Sequence, residues 1–205
     1  MIMSTHVPGS DVYKTEMFAR ILRHLDEHPE LTDDVRFEST PTGIVAKSPA
    51  DAAHGRVING LRRQLLEAVS RFPSGELDVS NDAGFIVGGQ RKIPDLFVID
   101  YTRLADEANG YVQDVSGVLL FVEVTSPATR RTDLGIGDPG KPGAYAAAGV
   151  PLYLVVDRAK ARVLLFSQPT ERVYPEPTEY EIGEAVWLPS PFSCTIDTEF
   201  MKNLL

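Results

Sequence analysis

Two short apolar runs with carboxylates at opposite ends constrain this chain most. Residues 95–100, Asp-Leu-Phe-Val-Ile-Asp, start with an acid and continue apolar, whereas residues 118–122, Val-Leu-Leu-Phe-Val, are wholly apolar and end at Glu123. Each is short enough for a buried strand. If the two pair antiparallel, the start of one lies beside the end of the other, so Asp95 and Glu123 sit side by side. That register sets Phe97 against Phe121 and Ile99 against Leu119, all on one face by the two-residue period. Two acids at the rim of an apolar hairpin must be neutralised, and a divalent cation is the usual solution.

The flanking sequence supplies helices and further strands. Met17, Phe18, Ile21, Leu22 and Leu25 share one helical face over residues 14–28. A short strand is expected at 42–47, and Ser48-Pro49-Ala50-Asp51 leads into a helix over 54–70 with Val57, Leu61, Leu65 and Val69 four apart. Strand-like pieces follow at 77–80 and 85–87. Residues 103–116 are polar and form the long connection of the hairpin. A loop runs from Glu123 to about Gly140, then a short helix over 143–148 is closed by Gly149. A buried strand at 152–156 has a hairpin partner at 162–166. Beyond Gln168 the prolines point to edge strands and turns, with strands at 186–188 and 195–196 and a last helix over 199–205. No repeat or linker interrupts this pattern. The expectation is one mixed α/β domain over residues 1–205, with a helical N-terminal extension to about residue 34.

Composition narrows the function classes. Of 205 residues, 43% are hydrophobic and 24% charged, enough apolar material for a core without a disulfide or structural metal. Cys194 is the lone cysteine, so no intramolecular disulfide or thiolate metal site can form. His6, His24, His28 and His54 lack zinc-ligand spacing. No apolar run reaches a membrane span and no signal sequence opens the chain, so a cytoplasmic protein is expected. The net charge of −9 opposes tight non-specific binding of nucleic acid. A local basic surface would need the pairs Arg62-Arg63, Arg91-Lys92 and Arg130-Arg131 to converge.

The chemistry-bearing residues come in a fixed order: Ser48-Pro49 and His54, Pro94-Asp95, Glu123-Val124-Thr125-Ser126-Pro127, Arg130 to Asp133, Lys141 and Tyr145, Gly149-Val150, then Tyr153 and Asp157. Over about residues 35–200 that order resembles the Uma-two family of restriction-endonuclease-like proteins, in the PD-(D/E)XK nuclease superfamily. The resemblance implies a mixed central sheet flanked by helices and a metal at the rim of the hairpin. It also implies a metal-dependent endonuclease cutting DNA, with Mg²⁺ or Mn²⁺ held by Asp95, Glu123 and the Val124 carbonyl. The alternative within the fold is a catalytically silent nucleic-acid-binding or protein-interaction domain.

Phosphodiester hydrolysis asks for these residue types. A hard cation on carboxylate oxygens neutralises the phosphate and activates water, and a lysine offsets charge in the transition state. Many relatives place that lysine two residues after the glutamate, where this chain has Thr125. The family pattern puts it four residues before a tyrosine, which maps to Lys141 and Tyr145. Pro142 suits a first helical turn and leaves Lys141 on the leading edge of the helix. His54, Thr125 and Asp133 are supporting candidates, although a histidine at a helix start more often caps or packs. Arg130 and Arg131 are the candidate DNA contacts.

A literal Gly-x-Gly-x-x-Gly occurs at residues 135–140, but about ten residues separate it from the preceding strand, and Pro139 removes an amide from any phosphate cradle. No Gly-x-Ser-x-Gly elbow is present. Enzymes that cut both strands of a duplex are commonly twofold dimers, and Val186, Trp187 and Leu188 are the candidate apolar surface for a homodimer.

Overall fold

The computed structural model describes residues 10–28, 36–40, 43–47, 51–72, 76–81, 83–103, 107–108, 111–136 and 140–205. The first described elements are α1 (Ser10–Glu27), the antiparallel pair β1 (Arg36–Thr40) and β2 (Gly43–Lys47), and α2 (Ala52–Val69). Then come β3 (Leu77–Ser80), β4 (Gly84–Val87), β5 (Gln90–Lys92), β6 (Leu96–Asp100), β7 (Glu107–Ala108), β8 (Tyr111–Val112) and β9 (Val118–Val124). Two short helices, α3 (Arg130–Leu134) and α4 (Gly140–Ala147), precede β10 (Leu152–Asp157) and β11 (Arg162–Ser167). The chain closes with β12 (Thr178–Glu181), β13 (Ala185–Leu188), β14 (Cys194–Asp197) and a 3-10 turn at Glu199–Met201.

The mirror-image runs are neighbouring antiparallel strands at the middle of a six-stranded mixed sheet of order β12-β11-β10-β9-β6-β3. Leu96 pairs with Val122 and Phe97 with Phe121, which carries Asp95 alongside Glu123. The expected pairing of Ile99 with Leu119 does not occur. The register shifts after Val98, which faces Leu120, and Ile99 then faces Val118. Leu119 is the extra residue of a β-bulge, and the shift keeps both Ile99 and Val118 in the aromatic side of the core.

Strand periodicity sorts the core into two layers. Leu120, Val122 and Val124 of β9, with Leu152, Leu154 and Val156 of β10, pack on Val57, Leu61 and Leu65 of α2. The opposite face carries Phe97, Phe121 and Tyr153 against Tyr145 of α4. Their rings form a chain: Phe85–Phe121 at 4.9 Å, Phe121–Tyr145 at 4.4 Å and Tyr145–Tyr153 at 4.9 Å between centroids. Glu123 shares the phase of Phe121, so its carboxylate lies on the α4 side.

Parallel pairing of β9 with β10 requires a crossover, and α3 with α4 provides it. Gly135 ends α3 at φ +65, and a Cβ on Gly140 would sit 2.3 Å from the Thr132 carbonyl oxygen. These glycines serve the helix stop and the close approach of α3 to α4. The segment expected as loop up to Gly140 thus contains α3, and α4 starts three residues before the expected helix. At the C-terminus, the helix expected over 199–205 is only the 3-10 turn. Val186 and Leu188 are fully buried while Trp187 is 49% exposed, so alternation along β13 removes two of the three residues expected on an apolar surface. Among the described residues, no helix is long and apolar enough to cross a membrane.

Candidate functional site

Lys141 is the second residue of α4, ahead of Pro142, and its side chain turns inward to complete burial. Its Nζ donates to Glu123 Oε1 at 2.7 Å and lies 3.0 Å from both Glu38 Oε2 and Asp133 Oδ1. The four groups come from four elements: β9, α4, β1 and α3. Burial alone would push the Lys141 ammonium down, but Asp133, Glu123 and Glu38 together hold it well above its ordinary value. Burial raises the Asp133 carboxyl despite Lys141, and neither of its oxygens has a well-aligned hydrogen bond.

Glu38 escaped the sequence reading. Its oxygens hold two structures at once: Oε1 accepts the Ile93 N–H at 2.7 Å, and Oε2 faces Lys141. Beside it, the Arg91 N–H donates to Ser39 Oγ and Lys92 Nζ to the Ser39 carbonyl, both at 2.8 Å. β1 thereby clamps the strand that delivers Pro94-Asp95. Lys92 is 1% exposed, and burial pulls its ammonium down to about 8 against the opposing pull of Glu38. One cue existed in the sequence. An acid at the centre of Arg-Phe-Glu-Ser-Thr, five residues before Gly43, becomes a buried carboxylate once those residues pair with the strand at 43–47.

Asp95 is held from the other side of the sheet. Its Oδ2 accepts the Val124 N–H at 2.8 Å and lies 3.1 Å from His54 Nε2. His54 is placed by the start of α2, where the Asp51 side chain accepts the His54 N–H at 2.8 Å. Asp95 and Glu123 are therefore neighbours in register whose side-chain partners arrive from opposite layers, His54 from α2 and Lys141 from α4. Thr125, expected to share the face of Glu123, follows the end of β9. Its Oγ1 accepts the Arg158 N–H at 3.1 Å, and no hydrogen bond joins it to Glu123 or Lys141 among the described residues.

The expected DNA contacts separate. Arg130 makes a two-point bridge to Asp157, Nε to Oδ1 at 2.7 Å and Nη2 to Oδ2 at 2.8 Å. Asp157 has no exposed surface, so Arg130 is committed to neutralising a buried acid rather than to a surface contact. Arg131 is exposed, with Nη2 3.1 Å from the Ile136 carbonyl oxygen. The other basic pairs also part company: Arg91 bridges Asp26 at 2.6 Å, Lys92 is interior, and Arg62 and Arg63 remain on the surface of α2.

A model for one protein family, described as "Putative restriction endonuclease", matches residues 22–198. The chain belongs to the Uma2 family. A crystal structure of a "putative nuclease belonging to DUF820" from Anabaena variabilis ATCC 29413 is similar to the Uma2 chain with a TM-score of 0.58. The two are 18% identical, over 88% of this chain and 98% of that one, which shows a shared fold. Comparison with curated proteins finds no match. The Uma2 chain therefore has the restriction-endonuclease-like fold, a mixed α+β architecture about the central sheet.

Glu38, Glu123 and Asp133 surround Lys141, with Lys92 nearby, whereas Asp95 faces His54 and the Val124 N–H. Hard carboxylate oxygens are the donors that Mg²⁺ and Mn²⁺ prefer, and Mg²⁺ commonly uses one or two such groups with waters. No group of three acidic, histidine or cysteine ligands is assembled among the described residues. Asp95 and Glu123 are carboxylates of the kind such a cation takes, and Glu123, like Glu38 and Asp133, is turned to Lys141.

Proposed function

We propose that this Uma2 chain hydrolyses DNA phosphodiester bonds with Mg²⁺ or Mn²⁺ at the rim where Asp95 and Glu123 meet. The observation that carries the reading is the lysine ammonium 2.7 Å from Glu123, on the strand beside Asp95. Asp95, Glu123 and the Val124 carbonyl would hold the ion. Once bound, it supplies neutralisation of the phosphate and a lowered pKa for attacking water.

The protein's own groups take distinct roles in this proposal. Lys141 stays protonated, so it serves as a hydrogen-bond donor and fixed positive charge toward phosphoryl oxygens, not as a base. Glu38 and Asp133 position that ammonium. His54 and the Val124 N–H orient the Asp95 carboxylate. Thr125 is spent on the β9–β10 junction and drops to a structural part. A cytoplasmic homodimer, one subunit for each strand of a duplex, completes the proposal.

One observation favours the silent domain instead. Lys141 has no exposed surface and three acidic partners, so reaching a phosphate requires it to give one up. Cleavage assays on plasmid, linear and single-stranded DNA with Mg²⁺ or Mn²⁺ decide between the readings. Hydrolysis that disappears in Glu123→Ala supports the enzyme. Metal binding without cleavage of any substrate supports the silent domain.

A further inference from the structure

We propose that the outer face of α2 is the groove that grips the phosphate backbone of the nucleic-acid substrate, which rests on the proposed function above. Arg56, Asn59 and Arg63 fall at i, i+3 and i+7 and so line one stripe of the helix, with Arg62 on its flank. All four side chains are at the surface, opposite the buried face of Val57, Leu61 and Leu65. Phe200 and Leu204 form the second wall of a depression of about 500 Å³. Phe200 lies so close over α2 that a Cβ on Gly60 would be 2.2 Å from its ring.

The arginines of this face have no acidic partner among the described residues, a state they share with Arg20, Arg23, Arg131 and Arg172. Arg71, Arg91, Arg103, Arg130, Arg158 and Arg162 each face a carboxylate within 4 Å. No described acid comes that close to Arg56, Arg62 or Arg63. The nearby acids are engaged elsewhere: Glu67 by Arg71, Glu199 by Lys202, and Asp197 Oδ1 by the Glu199 N–H. Three uncompensated guanidiniums on a chain of net charge −9 are a strongly local positive field.

Nucleic acid fits this groove by charge and length. At 1.5 Å per residue, Arg56 to Arg63 spans about 10 Å, roughly three base-pair steps along the axis of a B-form duplex. Guanidinium groups match phosphate oxygens with paired donors. His54 lies at the same end of α2 as Arg56 and 3.1 Å from Asp95, but on the buried face of the helix. The arginine face therefore adjoins the carboxylate rim only through the N-terminal end of α2. A basic surface that needed Arg62-Arg63, Arg91-Lys92 and Arg130-Arg131 to converge does not form, since Arg91 and Arg130 are ion-paired and Lys92 is buried.

Anisotropy titrations in EDTA with short fluorescein-labelled duplex and single-stranded DNA test the groove. The proteins are wild type, Arg56→Ala/Arg62→Ala/Arg63→Ala, and Arg20→Ala/Arg23→Ala as a surface-charge control. The α2 triple variant is expected to lose at least tenfold in affinity, with a duplex salt slope shallower by about 2.7, at about 0.9 per phosphate contact. The Arg20→Ala/Arg23→Ala control is expected to bind like wild type. Unchanged binding by the triple variant, or an equal loss in the control, overturns the groove. Tighter binding of polyglutamate than of DNA overturns it in favour of an acidic polypeptide. Wild-type protein that binds DNA through these arginines yet cuts none with Mg²⁺ or Mn²⁺ keeps the groove and removes hydrolysis. Cleavage and affinity unchanged in the triple variant keep hydrolysis and remove the groove.

Discussion

Lys141 Nζ and Glu123 Oε1 lie 2.7 Å apart with essentially no solvent access to either residue. A buried ion pair that loses one partner strands the other, at a typical cost of 3–5 kcal/mol. Lys141→Met strands three acids, so a loss of at least about 3 kcal/mol in urea unfolding is expected. Adding Asp133→Asn removes one of the uncompensated charges and should recover part of that loss. A Lys141→Met protein as stable as wild type would show that the cluster is not ionised as drawn.

The carboxylate rim is testable without any substrate. Calorimetric titration with Mn²⁺ should give heat with wild type and none with Asp95→Ala or Glu123→Ala. Mass action then raises wild-type stability by about 2.7 kcal/mol at a hundredfold excess of Mn²⁺ over Kd, seen as a higher Tm. Undiminished binding in both variants removes the metal assignment.

Lys92 makes stability depend on alkaline pH in a defined direction. Its ammonium falls from 10.5 to about 8 in the fold, first through burial. Between those values the unfolded chain binds a proton that the native chain does not, so this group's contribution to stability rises with pH. Below pH 8 both states are protonated and the penalty, about 3 kcal/mol, is felt in full. Relative to Lys92→Met, wild type should gain stability from pH 8 to 10, as read by thermal melting. Parallel pH profiles for the two proteins would refute the shift.

Arg130→Ala should behave as a stability variant. The Asp157 carboxyl is driven up by burial, but hydrogen bonds from Arg130 outweigh this and leave it below its ordinary value. Its stabilising effect is therefore present above about pH 4 and lost as acid protonates the folded form. Removing Arg130 leaves Arg162 Nε at 3.5 Å as the remaining cation, with an expected loss of about 2–3 kcal/mol at pH 7. Chemical denaturation measures that loss. Weakened DNA binding with stability untouched would restore Arg130 to the DNA surface.

Light scattering checks the assembly. A homodimer scatters at twice the 22.5 kDa of the chain, and Trp187→Lys should return it to monomer if the exposed indole lies in the interface. A monomer at micromolar wild-type protein removes the dimer.

The residues themselves determined the hairpin. Continuous apolar runs with acids at opposite ends bring Phe97 to Phe121 and Asp95 beside Glu123, whereas the bulge at Leu119 that shifts Ile99 to Val118 had no signal in the sequence. The amphipathic repeat over 54–70 likewise sufficed for α2. The inward path of Lys141 from a proline-flanked helix start was legible only as a possibility of its long stem. Whether it went to solvent or to Glu123 depended on three acids from distant parts of the chain. Glu38 and Lys92 read locally as charged residues in polar surroundings, and Arg130 read as half of a basic pair. Only the tertiary structure decided that Glu38 closes on Lys141, that Lys92 lies under Ser39 and that Arg130 is consumed by Asp157. The physical reason is that periodicity is a local property of the backbone. A buried charge, by contrast, is stabilised by partners whose distance in sequence carries no information about their distance in space.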